Sequence, residues 1–234
     1  MMSKELSGIL LIDKPEGVTS HDVVDCVRKR GRFRKVGHTG TLDPFATGLL
    51  VLLIGEMTRR STTFLHDEKS YEATMLLGVS TETGDCEGKP VCFGPYHHVT
   101  REKMVEVFGS LRGPQEQIPP MYSAIKHRGE KLYELARKGL SVERAPRSIF
   151  IRTLELRDFN PPSISFSLSC SKGTYVRTLS ETIGERLGCP AHLSSLRRVR
   201  AGAFSIDEAI PYGEIRCLER DSLMPYLKNF SGLL

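Results

Sequence analysis

The sequence predicts an α+β protein, a mixed, largely antiparallel sheet flanked by helices. Three observations carry that expectation. Residues 9–12 and 49–54 are short apolar runs without alternation, the pattern of strands covered on both faces. Tyr71, Ala73, Met75 and Leu77, and later Ile164, Phe166, Leu168 and Cys170, alternate with polar neighbours, the pattern of strands with one buried face. Val23, Val24 and Val27, then Val176, Leu179, Ile183 and Leu187, recur at helical spacing.

In chain order, the first strand ends at Lys14-Pro15, and Thr19 or Ser20 can cap the helix that follows. That helix runs out into Arg28, Lys29, Arg30, Arg32, Arg34 and Lys35, six basic residues in eight, with no acid before Asp43. Such a run is a solvated face or a lip that tracks a phosphate backbone, and its place before a Gly/Thr-rich loop favours the lip. A short helix is expected from Thr58 to His66, and an acidic, Gly-rich loop at residues 82–90. Thr100 opens a helix that turns Met104, Val107, Phe108 and Leu111 inward. Residues 130–138 read as a helix stopped by Gly139, and residues 147–159 as a strand. The helix after Tyr175 runs to Gly188, and a last strand is expected at residues 196–203, with Arg197, Arg198 and Arg200 on or near its exposed side. From Ser205 onward the pattern is one or two short helices.

Composition bounds what the chain can do. Hydrophobic residues make up 39% and charged residues 26%, the balance of a soluble globular protein, and the net charge of +5 makes the position of the charge more telling than its sum. No apolar stretch approaches the roughly 18 residues of a membrane span, and the N-terminus lacks a signal-peptide core, so a cytoplasmic protein is expected. The six cysteines form no CxxC pair. Cys86 and Cys92 with His97 and His98 come nearest to a cluster, but their spacing fits no metal template. Free thiols, no metal and no cofactor are the expectation.

The chemistry centres on Gly37-His38-Thr39-Gly40-Thr41-Leu42-Asp43-Pro44, a shaped loop that delivers one carboxylate beside positive charge. Pro44 biases Asp43 away from the helical region. Spacing alone leaves two readings open: a turn in which Asp43 caps an amide, or an acid held for chemical use. A Walker phosphate loop fails, because no Gly-Lys-Ser/Thr follows at the required spacing.

The loop resembles the catalytic motif of the TruB family of tRNA pseudouridine synthases. The likeness extends through further motifs in the family's order: Lys14-Pro15-Glu16-Gly17-Val18-Thr19-Ser20, Lys69-Ser70-Tyr71-Glu72-Ala73, the run Gln117-Ile118-Pro119-Pro120-Met121-Tyr122-Ser123-Ala124-Ile125-Lys126, Ser171-Lys172-Gly173-Thr174-Tyr175-Val176-Arg177, and Leu196-Arg197-Arg198. The resemblance implies two subdomains around a central catalytic cleft and conversion of a uridine, position 55 in the T-loop of tRNA, to pseudouridine. It makes Asp43 the catalytic acid, Arg177 the cation that keeps it charged and aimed, and Tyr71 the residue that stacks on the base and serves at C5. Tyr175 and Leu196 then line the uracil pocket, His38 occupies the space of the flipped-out base, and Lys14 buttresses the loop. Phosphate contacts fall to Arg28, Lys29, Arg30, Arg32, Arg34 and Lys35, with Lys126, Arg128, Arg197, Arg198 and Arg200. The alternative is an RNA-folding chaperone that binds and opens the same loop without chemistry.

Proteins of this family commonly carry a C-terminal PUA domain, for which residues 205–234 are too few. The expected organisation is a catalytic domain over residues 1–204 and a short tail after it. A monomer acting on the tRNA T-stem-loop without a guide RNA is expected.

Overall fold

The structure, a computed structural model, describes residues 6–65 and 67–228. In order the chain forms β1 (Gly8–Lys14), α1 (Ser20–Arg30), β2 (Val36–His38), β3 (Thr47–Ile54), a 3-10 turn (Gly55–Arg60), α2 (Ser61–Leu65) and β4 (Lys69–Leu77). Next come β5 (Val79–Thr81), β6 (Pro90–Phe93), α3 (Arg101–Leu111), β7 (Gly113–Gln117), β8 (Lys126–His127), β9 (Glu130–Lys131) and α4 (Leu132–Arg137). The last elements are β10 (Arg147–Asn160), β11 (Ser163–Cys170), α5 (Val176–Leu187), β12 (Ala191–Ala201), β13 (Phe204–Ser205), β14 (Ile210–Pro211), α6 (Tyr212–Ile215) and α7 (Arg220–Leu223). Two units divide the chain: Met1–Tyr71 with Leu196–Leu234, and Glu72–Ser195.

The first unit is built on the two runs that lack alternation. β1 lies antiparallel to β3, from Gly8 opposite Ile54 to Lys14 opposite Gly48. Leu10, Ile12, Leu50, Leu52 and Ile54 face Val23, Val24 and Val27 of α1. Ile9, Leu11, Leu49, Val51 and Leu53 face Met57, Phe64, Ala201 and Phe204 on the other side. At about 1.5–3 kcal/mol for each aliphatic side chain buried, these two layers dominate the unit's stability. The second edge of β3 is shared. β12 pairs with it in parallel at Thr47 and Gly48, and β2 pairs antiparallel at residues 52–54. Gly48 has φ +99°, and a Cβ there would lie 2.3 Å from the Arg198 carbonyl oxygen, so this junction admits only glycine.

The residues after Ser205 join this core. Ile210 of β14 pairs in parallel with Ile12, and Ile210, Ile215 and Leu223 are buried against α1 and β1. The two short helices expected there are α6 and α7, and β14 is an addition the sequence did not announce. Neither unit boundary coincides with the division expected at residue 204. Of the helix expected from Thr58, the first half is a 3-10 turn, α2 ends at Leu65, and His66 lies outside the described residues, as do residues 229–234.

In the second unit β4, β11, β10 and β7 are successive neighbours, with β10 antiparallel to both β11 and β7. Ile164, Phe166, Leu168 and Cys170 are buried as their alternation predicts. Phe108 of α3 meets Phe166 edge-on, ring centres 5.7 Å apart. Ala73, Met75 and Leu77 of β4 are buried too, and Tyr71, at the start of the same alternation in the first unit, is half-buried. β12 begins at Ala191, ahead of the expected Leu196. The helix expected at residues 130–138 begins later, because Arg128 and Gly129, both with positive φ, turn a short β8–β9 hairpin first. No helix among the described residues is long and apolar enough to cross a membrane.

Candidate active site

The segment around Asp43 is pinned from both sides. Ser20, buried at the start of α1, accepts from the Leu42 amide at 2.9 Å and donates to the Leu42 carbonyl at 3.1 Å. The Asp43 carbonyl accepts from the Ala46 amide at 3.1 Å. The Pro44 carbonyl accepts from the Gly17 amide at 2.9 Å and from Lys14 Nζ at 3.1 Å. Leu42, Phe45 and Ala46 drive their side chains into the core, which leaves Asp43 half-buried between anchored neighbours. Thr19 caps α1 through a capping box with Asp22, so the two candidate caps divide their work: Thr19 starts the helix and Ser20 clamps the loop.

Two buried cations complete the frame. Lys14 has no exposed surface, and its Nζ donates to the carbonyls of Pro15 at 2.8 Å, Val18 at 2.6 Å and Pro44 at 3.1 Å. A buried ammonium is tolerable only with such acceptors, so the charge ties the turn after β1 to the loop. Arg198 spans the gap that β12 and β2 leave on the edge of β3. Its Nε donates to the Leu49 carbonyl at 2.7 Å and its Nη2 to the Gly40 carbonyl at 3.0 Å, while the Thr39 amide donates to Val51 at 3.1 Å. The Arg198 placement corrects a sequence expectation. Arg198 is 3% exposed and supports the loop, where a phosphate contact was expected. Alternation along β12 puts Arg198 inward, and its planar fork of N–H donors reaches the Leu49 and Gly40 carbonyls from different nitrogens.

The other candidates of the first unit sit around this frame. The Leu196 side chain is buried and its carbonyl accepts from Thr47 Oγ1 at 3.5 Å. His38 ends β2 with Nδ1 buried and no hydrogen-bond partner for it among the described residues. Burial pushes the His38 imidazole below its ordinary value, and the Arg198 cation adds to the shift. A neutral ring follows at pH 7.

In the second unit, Tyr175 and Arg177 open α5. The Gln117 side-chain amide pairs with both polar groups of the Tyr175 backbone, accepting from its N–H at 2.8 Å and donating to its carbonyl at 3.0 Å. Arg177 is 4% exposed; Nη1 donates to the Thr83 carbonyl at 2.9 Å, Nη2 to the Tyr122 carbonyl at 2.7 Å, and Nε lies 3.6 Å from Asp85 Oδ2. One turn further on, burial pushes the Glu181 carboxyl up while the Arg177 cation pulls it down. Sequence reading missed Ser20 as a clamp, Gln117 as the holder of Tyr175, and Asp85 as a partner of Arg177. Gln117 stood in a recognised motif without a role, and Asp85 was one acid in an acidic loop.

The expected phosphate contacts divide three ways. Arg28, Lys29, Arg30, Arg32, Arg34 and Lys35 are exposed, as are Lys126, Arg128 and Arg200. Arg28 is paired with Asp25 at 2.9 Å, and Arg197 is held by both Asp13 oxygens at 3.0 and 2.7 Å. Arg198 is buried.

Residues 28–176 match the model of the TruB family pseudouridylate synthase N-terminal domain, and residues 177–226 that of the tRNA pseudouridylate synthase B C-terminal domain. The tRNA pseudouridine synthase B of Aromatoleum aromaticum is 45% identical over 229 residues, 98% of this chain and 74% of the relative. That of Chlamydia abortus is 45% identical over 227 residues, 96% of this chain and 95% of the relative. Among solved structures, a chain of a Cbf5-Nop10-Gar1 complex superposes with a TM-score of 0.69 at 30% identity, over 87% of this chain and 52% of that one. A pseudouridylate synthase is therefore the class of protein that the fold and the acid-bearing loop define. Within that class, the chain belongs to the TruB family.

Proposed function

We propose that this chain isomerises uridine 55, in the T-loop of tRNA, to pseudouridine, with Asp43 as the nucleophile. The observation that carries the assignment is the fixed backbone on both sides of Asp43, with Leu42 held by Ser20 and Pro44 held by Lys14 and Gly17. A carboxylate kept in one position loses little freedom when it meets the base, which is where a single acid gains most of its power.

The reaction breaks the bond from ribose C1′ to N1 and forms one from C1′ to C5 of the same ring. C5 gives up a proton and N1 gains one. No atom enters from outside and no electron is transferred, so the chemistry asks for no redox cofactor. Tyr71 and Arg177 act in the roles the resemblance implies, and Tyr175 and Leu196 line the base pocket. Because C1′ and N1 are out of reach inside a folded loop, the base must be flipped out, and His38, kept neutral, takes its space without bringing a second positive charge. The enzyme works in the cytoplasm as a monomer, without a guide RNA.

The test is pseudouridine formation on unmodified tRNA, mapped by position, for the wild type and Asp43→Asn, with tRNA binding followed in parallel. Turnover should fall at least about 10³-fold in the variant while binding persists. A variant that still turns over contradicts the assignment of Asp43. A wild type that binds tRNA tightly and makes no pseudouridine supports the chaperone reading instead.

A further inference from the structure

A concave site of about 290 Å³ in the first unit is lined by Lys29, Arg30 and Arg32 at the end of α1 and by Glu219, Arg220 and Asp221 at the start of α7. Four cations face two carboxylates there. Among the described residues no ion pair or hydrogen bond engages the side chains of Lys29, Arg30, Arg32 or Arg220, although both acids line the same cavity. Basic residues in a last turn ordinarily complement the partial negative charge of a helix C-terminus. That need is about half a unit charge, which a single cation of the last turn already meets. The positive excess therefore requires a different account.

The backbone supplies a second observation. α1 ends in a left-handed turn, the Gly31 amide donating to Val27 at 2.9 Å and the Phe33 amide to Arg28 at 3.0 Å. Glycine usually takes the left-handed position of such a turn. Here Arg32 takes it, with φ +48°, and Gly31 stands one residue early, where a Cβ would strike the Phe33 ring. An arginine held in a conformation that disfavours it, in a cavity with three other unpaired cations, is placed for charge and not for folding.

We infer that this cavity binds a phosphate of the RNA backbone, so that the C-terminal segment, through Arg220, extends the nucleic-acid contact of the basic run. The inference rests on the reading of the chain as a tRNA-modifying enzyme. Phosphate contacts position RNA without reading its sequence, so the site sets affinity and salt dependence and leaves the chemical step alone. Glu219 and Asp221 hold the affinity down and keep the site from saturating with any polyanion.

The experiment measures tRNA affinity against salt concentration for the wild type, Arg220→Gln, Arg32→Gly and the pair Glu219→Gln with Asp221→Asn, with turnover at saturating tRNA alongside. Each cation removed should flatten the slope of log K against log salt by about 0.7–0.9. Removal of the acids should tighten binding, which a purely structural role would not produce. Arg32→Gly should keep or raise the unfolding temperature while it weakens binding, since it relieves the left-handed backbone. Wild-type affinity and slope in Arg220→Gln and Arg32→Gly overturn the inference. So does a site in which inorganic phosphate perturbs the Arg220 resonances while tRNA affinity is indifferent to Arg220, because the anion is then a free one. Wild-type turnover reports separately on the enzyme reading: an active wild type with unmoved variants sinks only this inference.

Discussion

The first unit uses basic residues in two opposite ways. Lys14 and Arg198 are buried among backbone carbonyls, where each joins the Asp43 loop to a strand. Lys29, Arg30, Arg32 and Arg220 stand exposed around a shallow cavity without a partner among the described residues. The same charge costs several kcal/mol to remove from the first set and almost nothing from the second, because only the buried set leaves desolvated carbonyls behind. In this unit, burial decides whether a cation holds the protein together or waits for something outside it.

The largest effect expected from this contrast is Lys14→Met. Three carbonyls lose the ammonium, the Pro44 carbonyl keeping only the Gly17 amide, at a cost of ~3–5 kcal/mol, which for a chain of this size lowers Tm by ~10 °C. Thermal unfolding by circular dichroism checks it, and a shift of a degree or two would mean that the loop does not depend on Lys14. Arg198→Met should cost less, ~2–3 kcal/mol, and should depress turnover by ~10²-fold, since the loop loses its tie to β3. Arg30→Gln, the control from the exposed set, should stay within ~0.5 kcal/mol of wild type.

A smaller effect is expected in the second unit. Gln117→Ala removes the side chain that bonds both polar groups of the Tyr175 backbone, the carbonyl keeping the Leu179 amide, for a loss of ~1–3 kcal/mol and a weakened kcat. Unchanged kinetics would show that α5 holds Tyr175 unaided.

The smallest effect concerns His38. Its folded value lies below the ordinary 6.5, so the unfolded chain binds a proton more readily than the native one between the two values. The neutral ring's contribution is therefore complete above about pH 6.5 and lost as pH falls through that window. Urea unfolding from pH 5 to 7 should show the wild type losing stability relative to His38→Gln on acidification. Parallel curves would count against a buried neutral imidazole.

Much of this was legible in the sequence, for identifiable reasons. β3 and β1 declared themselves by apolar runs without alternation, and β4 and β11 by strict alternation. The Asp43 loop stood out through glycine, threonine and Asp-Pro. β2, β7 and β14 did not, because strands of two to five residues containing Gly or Pro carry too little periodicity to register. Arg197 and Arg198 could not be told apart, since which of two neighbours points inward depends on the pairing of β12 with β3. Likewise Ile210, Ile215 and Leu223 looked like scattered residues of a tail until the parallel pairing of β14 with β1 brought them into the core.

The central claim is that a fixed backbone at Leu42 and Pro44 makes Asp43 effective. Ser20→Ala tests it most directly, because it deletes both bonds to Leu42 and leaves every charge in place. The measurement is kcat and KM for pseudouridine formation on tRNA, with unfolding followed in the same preparation. The account predicts a folded enzyme with kcat lowered ~10–100-fold and KM near wild type. A folded Ser20→Ala enzyme with wild-type kcat would contradict it.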